Sequence, residues 1–193
     1  MTPRAYFSWS QYNLFGRSPE SYRQRYIYGD EGFKSKEMLF GKQMAEIREN
    51  GEEDKFILSK FSQYPRREYE ITATVKIDGK KVVLLGKLDG VNLRKHIIGE
   101  DKTGKFLNIG SVSRLEQLTW YAYLYYLKFK KIPKLEVNWI ETKEENGKIL
   151  ATGNVKTFQT QRTIADFLRL HAKINARWRG VLKLCAKELN EIF

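Results

Sequence analysis

Residues 81–104, KVVLLGKLDGVNLRKHIIGEDKTG, contain two apolar runs, and each run ends in a carboxylate. The first run ends at Asp89, which a glycine follows, and the second leads from His96 into the triplet Glu-Asp-Lys at 100–102. Runs rich in Val, Ile and Leu between turn residues are typical of β-strands. The eleven positions from Asp89 to Glu100 suit a hairpin-like return. We therefore expect two neighbouring strands that place Asp89 and Glu100 side by side at one end of a sheet.

The charged triplet should present its side chains on two faces. Alternate side chains of a strand share one face, so Glu100 and Lys102 should point one way and Asp101 the other. Two convergent carboxylates can hold Mg²⁺ while water and a substrate phosphate complete its shell. An adjacent ammonium can orient an attacking water or stabilise the charge that develops during phosphodiester hydrolysis. An Asp-Gly turn and a solvated Glu-Asp-Lys are also ordinary surface features, so spacing alone leaves both interpretations open.

Capping and turn signals predict the remaining elements. Ser8 with Gln11 has the form of a capping box, and Ser18-Pro19 is a second helix start. Asp78-Gly79 and Asn146-Gly147 are hairpin turn signals. The predicted helices begin at Ser8, span 18–28, 35–50 and 110–130, and begin again at about Thr163, while the predicted strands span 69–77, 81–88, 96–102, 135–142 and 148–158. This order implies an α/β protein of the mixed α+β kind, with a central mixed β-sheet flanked by helices.

The composition limits the class of protein. A chain of 193 residues fits one domain, with a helical N-terminal segment at about 7–50, a sheet and core at about 66–158 and a C-terminal helix at about 161–193. The net charge of +12 favours a polyanionic partner, most commonly nucleic acid. No apolar run reaches the roughly 18 residues that span a bilayer. We therefore expect no membrane partner and a cytoplasmic, intracellular location, which is the host cytoplasm if the protein is phage-encoded.

Cysteine and histidine are too scarce for soft metal sites. The single cysteine excludes a disulfide within the chain and an iron–sulfur cluster ligated by its cysteines alone. With two histidines, a zinc site is also disfavoured. Any metal should be a hard ion on oxygen ligands.

A further polar pair lies on the helix predicted after the third strand. Gln117 and Tyr121 are spaced i, i+4 and share a face beside the apolar stripe of that helix. This placement lets an amide and a phenol reach over the sheet edge. The alternative is an interface tyrosine with a glutamine nearby.

Three segments, in order, carry a family resemblance. They are Gly86-Lys87-Leu88-Asp89-Gly90, then Ile98-Gly99-Glu100-Asp101-Lys102-Thr103-Gly104, then Gln117-Leu118-Thr119-Trp120-Tyr121. Together they resemble the RecB-like branch of the PD-(D/E)XK nuclease superfamily, in which an Asp, a Glu/Asp-x-Lys followed by Thr-Gly, and a Gln-x-x-x-Tyr occur in this order. The segment Ser8-Trp9-Ser10 and the helix from Ser18 also resemble the opening of that branch. The resemblance covers residues 7 to 126.

The resemblance implies a restriction-endonuclease-like core and metal-dependent cleavage of DNA, with Mg²⁺ or Mn²⁺ as cofactor. It implies that Asp89 and Glu100 bind the metal and that Asp101 offers its backbone carbonyl. It also implies that Lys102 serves the water or the transition state. Gln117 and Tyr121 would then position the substrate or the catalytic lysine.

The chain departs from the family pattern at two places. Many members carry Gly-x-x-x-His on the helix before the sheet, and here Gly41 is followed by Ala45 at the histidine position. Glu46, the next residue, is our candidate for a substitute metal ligand, as in the lambda-type phage exonucleases that use Glu. Its alternative is a solvated helix residue. Relatives with an iron–sulfur cluster keep a cysteine where this chain has Ser18, so we expect no iron–sulfur cluster.

Two groups of residues are candidates for the DNA path. Cations spaced i, i+4 and i+8 on the last helix can track phosphates, and arginines interleaved with tyrosines can pair phosphates and stack unpaired bases. A solvated helix face is the alternative for either group. The candidates are Arg17, Tyr22, Arg23, Arg25 and Tyr26 near the N-terminus and Arg169, Lys173 and Arg177 on the last helix.

These observations favour a metal-dependent DNA nuclease. The sequence has no Walker-type phosphate loop, so ATP-driven unwinding would need a separate recombination or helicase protein as partner. By analogy we expect an exonuclease in phage or mobile-element DNA recombination or processing. A structure-specific endonuclease and a non-catalytic DNA-binding module with the nuclease fold remain alternatives.

Overall fold

The computed structural model describes residues 4–30, 32, 34–50 and 60–192. Its elements are helices and the strands of one sheet. In chain order they are β1 (Phe7–Ser8), α1 (Trp9–Arg17), α2 (Pro19–Tyr22) with a π-helical turn (Arg23–Ile27), α3 (Lys36–Asn50), β2 (Arg66–Ile77), β3 (Lys80–Asn92), β4 (Ile97–Gly104), α4 (Ile109–Ser113), α5 (Glu116–Phe129), β5 (Lys134–Glu145), β6 (Lys148–Thr160) and α6 (Ile164–Ile192). The predicted mixed α/β class with a central sheet is confirmed.

The six strands form one mixed sheet in the order β1-β3-β4-β5-β6, with β2 on the other edge of β3. β2–β3, β3–β4 and β5–β6 are antiparallel, whereas β1–β3 and β4–β5 are parallel. The two hairpins close on the predicted turns, where Asp78-Gly79 and Asn146-Gly147 all take positive φ. Asp and Asn followed by Gly adopt this left-handed pair at low cost, so these dipeptides fix the register of both hairpins.

The sheet is forked along one edge of β3. β1 pairs with this edge at Leu84 and Leu85, and β4 pairs with it only at residues 90–92. Residues 86–89 of β3 lie between these two contacts. The fork leaves a gap between the end of β3 and the middle of β4. The predicted carboxylates lie at this gap.

Helices pack on the sheet through apolar faces. α5 contributes the fully buried Leu118, Trp120 and Leu124, and α6 covers it with Ile174 and Val181. α3 contacts β4 and β6 instead. Ser8 and Ser18 cap α1 and α2 through their side-chain oxygens, as predicted.

Several element boundaries differ from the prediction. The helix expected over 110–130 is two helices that meet at Leu115, whose extended backbone ends the first and precedes the second. The helix expected to Tyr28 widens into a π-helical turn after Tyr22. β1 was not predicted, and His96 lies in a turn with positive φ before β4. The expected end of α3 at Gly51 lies outside the described residues.

Across the described ranges, no helix has both the length and the apolar character needed to cross a bilayer.

Candidate active site

The fork brings Asp89 and Glu100 together. The β3–β4 pairing ends at Gly90 and Gly99, and Asp89 and Glu100 are the next residues on each strand. The Asp101 amide donates a hydrogen bond of 2.8 Å to Asp89 Oδ2. The Asp89 side chain therefore takes the place of a backbone acceptor on β3. Glu100 is only 2% exposed. The predicted proximity of the two carboxylates is therefore observed.

A glycine pair beside these carboxylates makes room for Tyr64. Gly90 and Gly99 pair directly across the two strands, and the Tyr64 ring lies against both. A Cβ atom at either glycine would lie 2.2 Å from the ring. Tyr64 Oη donates to Glu136 Oε2 at 2.8 Å, which fixes the far end of the ring. The opposite face of the sheet is thus closed directly behind the two acids.

Lys102 is held by a relay of hydrogen bonds from α5. Its ammonium donates to Glu100 Oε1 at 2.5 Å and to Gln117 Oε1 at 2.9 Å. Gln117 Nε2 in turn donates to the Tyr121 hydroxyl at 2.9 Å. The i, i+4 pair on α5 therefore meets the Glu-x-Lys strand as the sequence predicted. Gln117 thus contacts the lysine directly, and Tyr121 contacts it through Gln117.

The charges around the fork do not balance. Four carboxylates lie here, and three of them form ion pairs: Glu68 with Lys87, Glu100 with Lys102, and Asp101 with Arg67. Among the described residues, Asp89 makes no ion pair. Burial and the nearby Glu100 raise the pKa of Asp89 to about 8.

The other buried groups shift in ways that their neighbours explain. Burial raises the pKa of Glu100, although Lys102 opposes the shift. Burial lowers the pKa of Lys102, but Glu100, Asp89 and Asp101 outweigh it and the net direction is upward. Burial and the charge of Glu100 raise the pKa of Tyr121. Lys102 therefore keeps its proton, and when all four carboxylates are ionised the cluster carries one negative charge in excess.

This excess charge fits a hard cation. Glu100 Oε2 is buried and has no hydrogen-bond partner among the described residues. A buried carboxylate oxygen without a partner is costly, and a divalent cation beside Asp89 would satisfy it. In the described ranges, no group of three or more His, Cys, Asp or Glu side chains is placed to hold a metal ion. Two carboxylates and a backbone carbonyl suit Mg²⁺, which binds few protein ligands and keeps several waters.

A cavity of about 340 Å³ opens at the fork between β2, β4 and α3. Arg67 and Glu68 line it, and the sequence prediction missed both because it began β2 at Tyr69. Glu68 has a positive φ of 48° and falls opposite Asp89 in the hairpin register. The turn at Asp78-Gly79 fixes that register, so the position of Glu68 could have been derived from the sequence.

Glu46 lies away from this cavity. Ala45 lines it, at the position where many relatives carry histidine, whereas Glu46 is exposed and pairs with Lys42 at 3.2 Å. Successive helix residues differ in direction by about 100° because there are about 3.6 residues per turn. Glu46 consequently points away, and the structure does not bring the proposed substitute ligand to the fork.

The cations predicted on α6 all have internal partners. Arg169 pairs with Asp166 at 2.6 Å and Lys173 with Glu116 at 2.7 Å, and both cations remain exposed. Arg177 is half-buried, lies 3.8 Å from the centroid of the Tyr12 ring and donates to the Tyr12 carbonyl. Arg177 therefore joins α6 to α1, whereas Arg169 and Lys173 remain accessible.

The N-terminal candidates divide in the same way. Tyr22 is 2% exposed, and Arg23 pairs with Glu20 and with the buried Glu188. Arg25 is exposed beside the ring of Tyr26. Arg17 is exposed in the last turn of α1. Tyr22 and Arg23 thus hold α2 in place. The same pattern of aromatic and cationic residues can therefore serve internal packing or a binding face.

Comparisons with known proteins bear on the fold. No family model matches the sequence, and no curated protein matches it. A solved Eubacterium rectale protein assigned as an exonuclease is 12% identical, with a TM-score of 0.59 over 95% of this chain and 82% of its own. LHK-Exo, solved in complex with dAMP, is 11% identical, with a TM-score of 0.52 over 95% of this chain and 89% of its own. At these identities the similarity shows that the chain has the fold of these exonuclease structures.

Proposed function

We propose that this protein is a metal-dependent DNA nuclease of the RecB-like PD-(D/E)XK type that hydrolyses phosphodiester bonds. The observation that supports it is the pairing of Asp89 and Glu100 across the sheet fork, with Lys102 held beside them by Gln117. The net charge of +12 is consistent with DNA as the substrate.

The side chains divide the work of binding and orientation. Asp89, Glu100 and the Asp101 carbonyl would hold Mg²⁺ or Mn²⁺. When bound, the divalent ion would polarise the scissile phosphate and neutralise the excess negative charge of the cluster. Lys102 presents a fixed ammonium to the attacking water or to the phosphate oxygens, and the relay from Tyr121 through Gln117 keeps it in place.

The reaction needs one water molecule for each bond cleaved. The water's hydroxyl adds to phosphorus as the bond from phosphorus to the leaving sugar oxygen breaks, and a proton ends on the released sugar hydroxyl. Negative charge grows on the phosphate oxygens during attack. A positioned ammonium in a partly buried site stabilises that charge more than water would.

The test is cleavage of labelled DNA by purified variants. We expect product with Mg²⁺ or Mn²⁺ and none with EDTA. Replacing Asp89, Glu100 or Lys102 by Ala should abolish cleavage. The control is Lys105→Ala, because Lys105 is exposed and pairs with Glu144 at 3.7 Å, and it should cleave normally. Full activity of folded Lys102→Ala would refute the assignment.

We further propose that the enzyme is an exonuclease that processes DNA in phage or mobile-element recombination. The exonuclease-type fold supports the first part. End-labelled linear single-stranded and double-stranded DNA should be degraded while closed circles survive. Cleavage of closed circles would instead favour an endonuclease.

A further inference from the structure

Resting on the proposed nuclease function, we infer that Arg67 binds a non-bridging oxygen of the scissile phosphate. Arg67 lines the fork cavity together with Asp89, Glu100 and Lys102. Its side chain is 26% exposed, so the residue is not closed off from the cavity. Neither the sequence motifs nor the family resemblance assigns this residue a role.

Arg67 and Lys102 approach the cavity from different faces of the sheet. Arg67 pairs with Gly90 in register, and Gly90 pairs with Gly99, so these three residues share the face on which Tyr64 lies. Lys102 belongs to the opposite face, where α5 holds it. A phosphate at the fork would therefore meet one cation from each side.

The guanidinium has unused hydrogen-bond donors. Its one hydrogen bond among the described residues runs from Nη2 to Asp101 Oδ2 at 3.2 Å. Its Nε is buried without a partner in the same part of the chain. A guanidinium carries five N–H donors in a planar fork that matches a phosphate, and a buried unmade hydrogen bond is costly. The buried Nε has no accessible surface for a ligand, so an oxyanion in the cavity would bond to the open donors of the terminal nitrogens.

Asp101 orients this arginine. The Asp101 Oδ1 atom accepts from Asn138 Nδ2 at 2.9 Å, and Asn138 Oδ1 accepts from Thr157 Oγ1 at 3.0 Å. This chain of bonds fixes the carboxylate that Arg67 contacts. The Asp101 side chain thus serves Arg67, while its backbone serves the fork through the amide bonded to Asp89.

The inference addresses an electrostatic problem of the site. A DNA phosphate is an anion, and it has to enter a cavity lined by Glu68, Asp89, Glu100 and Asp101. Charge also grows on its oxygens during attack. Removing one hydrogen-bond donor that is aimed at this charge in a low-dielectric site lowers the rate about 10²–10³-fold. Arg67 is the cavity-lining arginine among the described residues and is placed for that role.

The first experiment compares Arg67→Ala with Arg66→Ala. Arg66 is the adjacent, exposed arginine, and it lies over the Tyr69 ring with 5.6 Å from its Cζ to the ring centroid, away from the cavity lining. We expect Arg67→Ala to lower the single-turnover cleavage rate about 10²–10³-fold at saturating DNA. Arg66→Ala should stay within about threefold of wild type, and urea unfolding checks that both variants fold. Equal rates for the two variants would overturn the inference.

A second experiment does not need cleavage. Inorganic phosphate is titrated into the Mn²⁺-loaded protein by calorimetry, and Arg67→Ala should bind it at least about tenfold more weakly than wild type, as expected for a lost charge-assisted pair. Arg66→Ala, the control outside the cavity lining, should bind phosphate as wild type does. If Arg66→Ala and Arg67→Ala weaken phosphate binding equally, the loss reflects net charge alone and the inference fails. Wild type that binds phosphate but cuts no DNA would refute the proposed nuclease and leave the role of Arg67 in phosphate binding standing.

Discussion

Substituting Gly99 by Ala should disrupt the packing of the Tyr64 ring against Gly90 and Gly99 behind the candidate site. An alanine Cβ at this position would lie 2.2 Å from both Cε2 and Cζ of Tyr64. Carbon atoms pack at about 3.5–4.0 Å, so the ring would have to retreat by more than about 1 Å. The same ring lies equally close to Gly90 on the neighbouring strand, and its hydroxyl is bonded to Glu136. The ring has no low-cost way to move.

The expected cost follows from the two outcomes open to the ring. Overpacking without expulsion costs about 1–3 kcal/mol. Expulsion forfeits the burial of a large aromatic, about 3–5 kcal/mol by comparison with Phe→Ala changes, and it also breaks the bond to Glu136. We therefore expect Gly99→Ala to lower the free energy of unfolding by about 3 kcal/mol, a large part of the about 5–15 kcal/mol of a typical domain.

Urea unfolding of a double-mutant cycle measures this. The single changes are Gly99→Ala and Tyr64→Ala, and the coupling between them should be about 2 kcal/mol because Tyr64→Ala removes the clashing ring. Gly104→Ala is the matched control on the same strand, since its nearest neighbour is Trp139 Nε1 at 3.9 Å. It should change stability by less than about 0.5 kcal/mol. Additivity of the two single changes within about 0.5 kcal/mol would refute the reasoning.

Three other predictions concern charge. Mn²⁺ at about 100 times its Kd should stabilise the wild type by about 2.7 kcal/mol in thermal unfolding but should not stabilise Asp89→Asn. An equal gain in both proteins would contradict metal binding at Asp89. In EDTA and above about pH 8, where Asp89 is ionised, Asp89→Asn should be more stable than wild type, because it removes a buried charge that has no ion-pair partner among the described residues; a loss of stability would contradict the charge imbalance. The Thr163 amide lowers the pKa of Asp166, so Asp166→Asn should destabilise α6 at neutral pH, and the difference should vanish as pH falls through the lowered folded-state pKa. A pH-independent difference would rule out the charge as its cause.

Local sequence signals predicted the parts of the site that depend on local geometry. Strand alternation separates Glu100 and Lys102 from Asp101, and helical spacing brings Gln117 and Tyr121 together. The Asp78-Gly79 turn also determines which residue lies opposite Asp89. Such features could be predicted because each follows from a backbone period or from a turn that fixes register.

Other parts depend on tertiary packing and left no periodic signal. Tyr64 precedes β2, and only the assembled sheet shows that its ring fits against Gly90 and Gly99. The sequence places Ala45 and Glu46 on one helix turn, but the packing of α3 on β4 decides which of them meets the cavity. Likewise Tyr22 is buried because α2 packs on α1, a contact that composition does not encode.

The fork explains why the acids are tolerated where a strand should be apolar. A continuous ladder between β3 and β4 would pair the backbone at Asp89 and Glu100, but pairing stops at Gly90 and Gly99. The amide of Asp101 then takes a side-chain acceptor, and one oxygen of Glu100 is left without a partner among the described residues. Both the gap and the imbalance of charge cost stability in the metal-free chain. A bound cation and phosphate would offset both costs. The cation would bind the carboxylates, and the open donors of Arg67 and the ammonium of Lys102 would bind the phosphate. The features that make this segment a poor strand are therefore the ones that a phosphodiesterase site requires.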